Sequence, residues 1–238
     1  MNIALIGYGK MGHAIEEIAI SRGHQVVLRV GIENMEDNTV ENIRRADVAI
    51  EFSGPDIAVE NLKRCIDAGT PVVCGTTGWL ERYDEIKKYC AARDGAFLYA
   101  SNFSIGVNIF FELNSYLAKM MDGHKEYTIS LEEIHHTQKK DAPSGTAITL
   151  AEGILNRQSD KQKWVNEPSK DPSILPIISI REDPAPGTHK VEYHSAVDDI
   201  TITHTAHSRK GFALGAVLAA EFLKDKKGVF GMKDVLKL

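Results

Sequence analysis

Cysteine is scarce in this sequence of 238 residues: Cys65, Cys74 and Cys90 have no C-x-x-C spacing and cannot all pair within the chain. That excludes a disulfide framework and fits reduced thiols in a cytosolic protein, buried as packing residues. No apolar run is long enough to cross a bilayer. The most apolar late stretch, FALGAVLAAEFL from Phe212, falls short of the roughly 20 residues that a spanning helix needs. Its near-absence of a polar face marks a buried helix instead. The opening MNIALIGYGK lacks the long apolar core and small-residue cleavage site of a signal peptide and reads as a first strand. There is no excess of basic charge either. A formal net charge of −5 excludes a broad nucleic-acid surface and leaves only local basic pockets, such as Lys139 with Lys140. Internal repeats and low-complexity tracts are absent. What remains, 43% hydrophobic and 26% charged residues, is the composition of a folded soluble protein, long enough for one large domain or two small ones.

The first half carries a glycine turn in a telling place. Asn2 to Ile6 is β-prone and leads directly into GYGKMG, with Gly7, Gly9 and Gly12 in G-x-G-x-x-G spacing. In that pattern the first glycine permits the turn, the second lets a cofactor pyrophosphate approach the backbone, and the third lets the helix pack on the sheet. Helical spacing of Ile15, Ile18 and Ala19 follows, a stop at Gly23, and then QVVLRV as a second strand. The alternation continues through DVAIEFS, DIAVENLKRCIDAG, PVVCGTTG, a helix from Leu80 to Arg93, and AFLYASNFS. This βαβ rhythm predicts an α/β fold, a Rossmann-like doubly wound parallel sheet with ligands beyond the carboxyl ends of its strands. Three further strand ends carry small polar residues: Phe52-Ser53-Gly54, Gly75-Thr76-Thr77-Gly78 and Ser101-Asn102-Phe103-Ser104.

After a helix at about Val107 to Met121 the pattern changes. YTISLEEI, PIISIRE, THKVEYHSA and DDITITHTA are separated strand-like runs, and the turn at Val197-Asp198-Asp199 joins the last two as a hairpin. They predict a second α+β domain on a mixed sheet, covered on one face by the helix after Ser144. NRQSDKQKWVNEPSKDPS reads as a polar surface excursion, and the helix from Phe212 returns to the first lobe. The expected division is residues 1–104 and 212–238 for the dinucleotide-binding domain and 105–211 for substrate binding and oligomerisation.

The densest chemistry lies in EEIHHTQKKDAPSGTAITLAEGIL, at a strand end just before a helix. Ser144 suits an N-cap, so the amides around Gly145 and Thr146 would form an anion site, with His135, His136, Lys139 and Lys140 beside it. The ligand expected there is a small molecule with one or more carboxylates, held within reach of a reduced nicotinamide. A histidine can donate a proton near neutral pH, and a lysine can hold or polarise an anionic substrate.

EEIHHTQKKDAPSGTA is similar to the signature of the dihydrodipicolinate reductase family, His-His-x-x-Lys-x-Asp-x-Pro-Ser-Gly-Thr-Ala. It matches at His135, His136, Lys139, Asp141, Pro143, Ser144, Gly145, Thr146 and Ala147, and the resemblance extends through GYGKMG, GTTGW, SNFSIGVN and ITHTAHSR. The resemblance implies a cytoplasmic, homotetrameric enzyme of lysine and diaminopimelate biosynthesis that uses NADPH or NADH to reduce 4-hydroxy-tetrahydrodipicolinate, a dicarboxylate. It makes His135 the proton donor and Lys139 the second catalytic residue, with His136, Ser144, Gly145 and Thr146 binding substrate. For the cofactor it implies Gly7, Gly9, Lys10, Met11 and Gly12 at one end, and Gly75, Thr76, Thr77 and Ser101, Asn102, Phe103, Ser104 at the nicotinamide end.

No metal, nucleic-acid or membrane partner is expected. His204 and His207 lack a third ligand at suitable spacing and read as hydrogen-bonded structural residues, while Arg181 and Arg209 could reach a carboxylate bidentately but suit ion-pair or domain-junction roles at least as well and stay outside the expected site. Two other readings fit the pattern: another two-lobed NAD(P)-dependent dehydrogenase, and a redox-sensing module. The histidine-lysine cluster argues against the sensor, which needs no acid. Cofactor choice turns on LRVGIEN, where Gly31 offers no carboxylate for the ribose hydroxyls. Arg29 could supply positive charge if it faces the pocket, and Glu33 could restore an acid if the strand runs two residues longer; NADPH is expected to be accepted at least as well as NADH.

Overall fold

The structure, a computed structural model, describes residues 1–208 and 210–238; Arg209 lies outside the described residues. The chain forms two compact units, one of Met1–Ile105 with Lys210–Leu238 and one of Gly106–Arg209.

The first unit alternates β1 (Asn2–Ile6), α1 (Lys10–Ser21), β2 (Gln25–Val30), α2 (Val40–Ile43), β3 (Val48–Glu51), α3 (Pro55–Asp67), β4 (Val72–Cys74), α4 (Tyr83–Ala91) and β5 (Ala96–Tyr99). Short 3-10 turns at Ile32–Asp37 and Leu80–Arg82 interrupt it. In β1 the period of two sorts side chains to opposite faces. Ala4 and Ile6 join one buried cluster with Leu62 and Ile66 of α3 and Ile86 of α4, while Ile3 and Leu5 join the other with Ile15 and Ala19 of α1. The sheet is therefore covered on both faces, which is why its strands read as nearly continuous apolar runs.

In the second unit α5 (Ile105–Met121, its first residue in the first unit) precedes β6 (Thr128–His135), α6 (Gly145–Leu155), β7 (Lys163–Val165), β8 (Ile174–Arg181), β9 (Thr188–His194) and β10 (Asp199–Thr205). The sheet order is β10-β9-β6-β8-β7, with β6 antiparallel to β9 and parallel to β8, hence mixed. The β9–β10 hairpin closes across the expected turn. The polar excursion is more ordered than its composition suggests, because Lys163–Val165 pairs with β8 as a short edge strand. Ile129 and Leu131 of β6 pack on Leu150, Ala151 and Ile154 of α6 and Leu117 and Ala118 of α5.

The chain then returns to the first unit as α7 (Lys210–Leu223), β11 (Gly228–Phe230) and α8 (Met232–Leu236). Ala213, Ala216, Val217, Ala220 and Leu223 of α7 are buried in the cluster of Ile3 and Leu5, so this run is apolar on nearly all sides because it packs as a core helix. The strand order β11-β5-β4-β3-β1-β2 places the reversal of chain order between β1 and β3. A ligand crevice is expected beyond the carboxyl ends of those two strands.

Candidate active site

In the first unit a cleft of about 820 Å³ opens at that reversal, lined among others by Gly7, Tyr8, Gly9, Glu33, Asn38 and Ser53. The amides of Gly7 and Tyr8 both donate to the Val30 carbonyl at 2.9 Å, which turns the chain sharply out of β1. Gly7 sits at φ +95°, where a Cβ would lie 2.0 Å from the Phe52 carbonyl oxygen, and a Cβ at Gly12 would lie 2.6 Å from the Gly7 oxygen. Around Gly9 nothing lies within 4 Å of such an atom. Gly9 is the N-cap of α1, with no side-chain cap and no acid in the first turn. A cradle closed on its protein side and open at the free amides of a 12-residue helix fits a dinucleotide pyrophosphate.

The other expected cofactor residues divide. Lys10 is exposed, Met11 is half-buried against the α1 side of the core, and Gly12 is buried. Gly75 leaves room for the Phe52 ring, which a Cβ would meet at 2.2 Å. Thr76 is spent on the fold: its Oγ1 accepts from the Ser53 amide at 2.8 Å and its carbonyl from Trp79 Nε1 at 2.7 Å. Phe103 is buried with its ring 5.6 Å from that of Phe52, and Asn102 Oδ1 accepts from the buried Ser104 amide at 2.9 Å. Thr77 and Ser101 are exposed. Sequence reasoning missed Tyr8 and His13, whose rings lie 4.1 Å apart in the cleft lining. It also missed Asn38 and Asn61, which join Ser53 through bonds of 2.7 and 3.0 Å.

Of the two arrangements weighed for cofactor choice, the structure has the one with Glu33 at the cleft. Strand β2 ends at Val30, and Glu33, in the turn that follows, lines the cleft. Arg29 is directed to Glu16 instead, with Nε 2.8 Å from its carboxylate and an Nη2 contact as well, and that bond holds the Glu16 carboxyl below its usual range. The second Glu16 oxygen accepts from the Tyr8 hydroxyl.

In the second unit the signature folds around one buried carboxylate. Strand alternation turns Ile129, Leu131, Glu133 and His135 to the covered face of β6, so Glu133 is 0% exposed. Its oxygens accept from the Ser144 amide at 3.1 Å, the Ser179 hydroxyl at 2.7 Å and Arg181 Nη2 at 3.1 Å. His135 Nδ1 is 3.4 Å from Oε2 and His189 Nε2 is 3.7 Å from it. Burial pushes the Glu133 carboxyl up, and the bonds from Ser144, Ser179 and Arg181 together outweigh it, so the group is held below its usual range, as a carboxylate. Burial is also the largest influence on His135 and lowers its proton affinity; Glu133 opposes that, while Lys139 and Arg181 add to it.

Ser144 is the N-cap of α6, its hydroxyl accepting from the Ala147 amide at 3.2 Å and lying 3.1 Å from His189 Nε2. Its polar groups are thus committed inside the protein, and the open part of the turn is Gly145, exposed, with nothing within 4 Å of an added Cβ. Thr146 and His136 are half-buried. Lys139 Nζ lies 2.8 and 2.7 Å from the Asp141 oxygens. Arg181, left outside the site on sequence grounds, braces this loop: Nε donates to the Lys139 carbonyl at 3.3 Å and Nη2 to that of Asp141 at 2.7 Å. Arg181 thereby links the backbone of the Lys139 loop to Glu133, which also holds the Ser144 amide and faces His135. Glu133, His135 and His189 have ligand atoms within 4.8 Å of one another, yet the carboxylate already takes a guanidinium and three further hydrogen bonds, so we read an acid–base network and not a metal site. His204 lies near Phe110, with ring centroids 6.1 Å apart, and its Nδ1 has no hydrogen bond among the described residues.

The network should leave a mark on stability. Burial first, and then the neighbouring His135, lower the His189 pKa from 6.5 to about 4. Between these values the unfolded state binds the extra proton, so stability falls as pH drops through that window, by up to about 3 kcal/mol. Urea unfolding of His189→Gln should show a flatter pH dependence than the parent; parallel curves would contradict the assignment.

A glycine-cradled cleft at the reversal of a parallel sheet in one unit, and two histidines around a buried carboxylate at a helix start in the other, fit the class of nicotinamide-dependent oxidoreductases. Residues 1–103 match the model for dihydrodipicolinate reductase, N-terminus, and residues 106–236 that for dihydrodipicolinate reductase, C-terminus. The chain belongs to the dihydrodipicolinate reductase family. It is 54% identical to a 4-hydroxy-tetrahydrodipicolinate reductase of Christiangramia forsetii, over 99% of this chain and 98% of that one. One from Neisseria meningitidis is 33% identical, over 94% of this chain and 84% of the relative. The fold is shared with a dipicolinate-bound dihydrodipicolinate reductase from Paenisporosarcina sp. TG-14, with a TM-score of 0.78 at 22% identity over 98% of each chain.

Proposed function

We propose that this chain reduces 4-hydroxy-tetrahydrodipicolinate to tetrahydrodipicolinate with NADH or NADPH, in the route to diaminopimelate and lysine. The observation that carries the reading is the convergence of His135, the Lys139 loop and the start of α6 on Glu133. The first unit holds the cofactor at Gly7, Gly9 and the start of α1, with the Gly75 to Thr77 and Ser101 to Ser104 strand ends toward the nicotinamide. The second binds the substrate carboxylates at Gly145, Thr146, His136 and Lys139. When bound, the nicotinamide supplies the hydride. The 4-hydroxyl of the substrate leaves as water, His135 supplies the proton that completes the reduction of the resulting unsaturated ring, and Lys139 offsets the charge of the substrate as it is reduced.

Two carboxylates on one planar ring are what a helix start and a separate ammonium complement. Pyridine-2,6-dicarboxylate should therefore inhibit competitively against substrate. The monocarboxylate analogue should bind about tenfold more weakly or worse, the worth of one charge-assisted hydrogen bond. Equal inhibition by the two would remove dicarboxylate recognition from the account.

For the cofactor, Glu33 in the cleft lining and Arg29 committed to Glu16 favour NADH, since a carboxylate near the ribose repels a 2′-phosphate. At matched low ionic strength kcat/KM should favour NADH by about tenfold or more, roughly 1.4 kcal/mol. Equal values for NADPH would place Glu33 outside the ribose site.

We further propose a cytoplasmic homotetramer. Its support is Ile109, Leu113, Tyr116 and Met120, exposed at helical spacing along α5, the buried free cysteines, and the lack among described residues of any helix long and apolar enough to cross a membrane. A monomer mass by light scattering would count against the assembly.

A further inference from the structure

A fully buried carboxylate in the middle strand of a sheet is costly, and it persists only where its partners justify it. Nothing in the folding of β6 requires one, since Ile129 and Leu131 occupy the preceding inward positions. The hydrogen bonds of Glu133 show where its charge is used. Oε1 accepts from Ser144, Ser179 and Arg181, while among the described residues Oε2 accepts from Ser144 alone and otherwise faces His135 and His189. His135 Nδ1 is a buried atom without a hydrogen-bond partner among the described residues, 3.4 Å from that oxygen. If Nδ1 were bare, two lone pairs would face each other out of reach of water. A proton on Nδ1 turns the same contact into attraction, and it leaves Nε2 as the ring's other nitrogen. The Nε2 edge is kept clear by Gly187, at φ +150°, where a Cβ would come within 3.1 Å of it.

We propose that Glu133 is a positioning residue of the reduction: it fixes His135 as the Nδ1–H tautomer, so that Nε2 carries the transferred proton, and through the Ser144 amide it ties this acid to the substrate-binding start of α6. The proposal rests on the reading of His135 as proton donor. The charged and titratable groups around the pair are Arg181 from β8, His189 from β9 with His204 opposite it on β10, and Lys139 and Asp141 from the loop after β6; α6 contributes the Ser144 amide and hydroxyl. Among these, the Glu133 carboxylate does most to favour protonated His135, against the burial that lowers its proton affinity. Removing its charge lowers the pH at which His135 gives up its proton. A donor must be protonated to act, so the alkaline limb of the kcat profile moves to lower pH.

The test combines ring-nitrogen NMR with kinetics. In the unaltered protein, long-range proton–nitrogen spectra, with His135 assigned by its absence in His135→Ala, should show Nδ1–H for neutral His135. In Glu133→Gln the alkaline limb of kcat should move down by about one pH unit or more, with turnover at neutral pH at least about tenfold lower because the tautomer is no longer enforced. Glu133→Asp, which keeps the charge, should recover part of both. An Nε2–H tautomer in the unaltered protein, or an unmoved limb in folded Glu133→Gln, overturns the proposal. The tautomer decides it even if Glu133→Gln does not fold. Undiminished turnover by His135→Ala would instead remove the proton-donor reading beneath it.

Discussion

Turnover is expected to fall by about 100- to 10,000-fold when His135 is replaced by alanine, the usual cost of losing a general acid. KM should change little, because the ring is buried between Glu133 and His189 and is assigned to the proton, not to the substrate carboxylates. His136→Ala should do the opposite. Its ring is half-buried at the exit of β6, and losing one bond to a charged ligand raises KM by about tenfold or more while kcat stays near normal. Steady-state kinetics on the two variants across pH separates the roles. Near-normal turnover by His135→Ala would show that another group delivers the proton.

The largest effect on cofactor binding is expected at Gly7. An alanine there places its Cβ 2.0 Å from the Phe52 carbonyl oxygen at φ +95°. Overpacking against rigid backbone and a left-handed conformation for a non-glycine residue each cost about 1 to 3 kcal/mol, so unfolding should become easier by about 3 kcal/mol or more. Because the same turn aims the first amides of α1, NADH affinity should collapse even where the variant remains folded. Urea unfolding and cofactor fluorescence titration measure the two effects. Unchanged affinity in folded Gly7→Ala would mean that the pyrophosphate is held elsewhere.

The sequence made these two sites legible to different degrees. The glycine turn, the β2 run from Gln25 to Val30 and the Ser144 cap are local signals, each readable within a few residues of its own position. Glu133 and Arg181 are not local. Glu132-Glu133 reads as ordinary surface charge until the alternation of Ile129 and Leu131 is carried two residues further, which turns Glu133 inward. Arg181 reaches the site because β8 pairs with β6 in a register that sets it opposite His135, a contact spanning 46 positions that no window of sequence contains. Whether Arg29 faces the pocket could not be read from the sequence for a related reason. Glu16 lies one helix earlier, and its claim on the guanidinium depends on α1 packing over β2. Lys163–Val165 and Gly228–Phe230 were hidden by their length, since three residues of edge strand leave no period to detect.

The central claim is the reduction itself, and a coupled assay tests it most directly. With 4-hydroxy-tetrahydrodipicolinate generated in place from aspartate semialdehyde and pyruvate by the synthase that condenses them, nicotinamide absorbance should fall only when synthase, both precursors, reduced cofactor and this chain are all present. The same mixture containing His135→Ala should lose that signal almost entirely. A complete mixture in which NADH and NADPH both remain unoxidised by the unaltered chain would contradict the account.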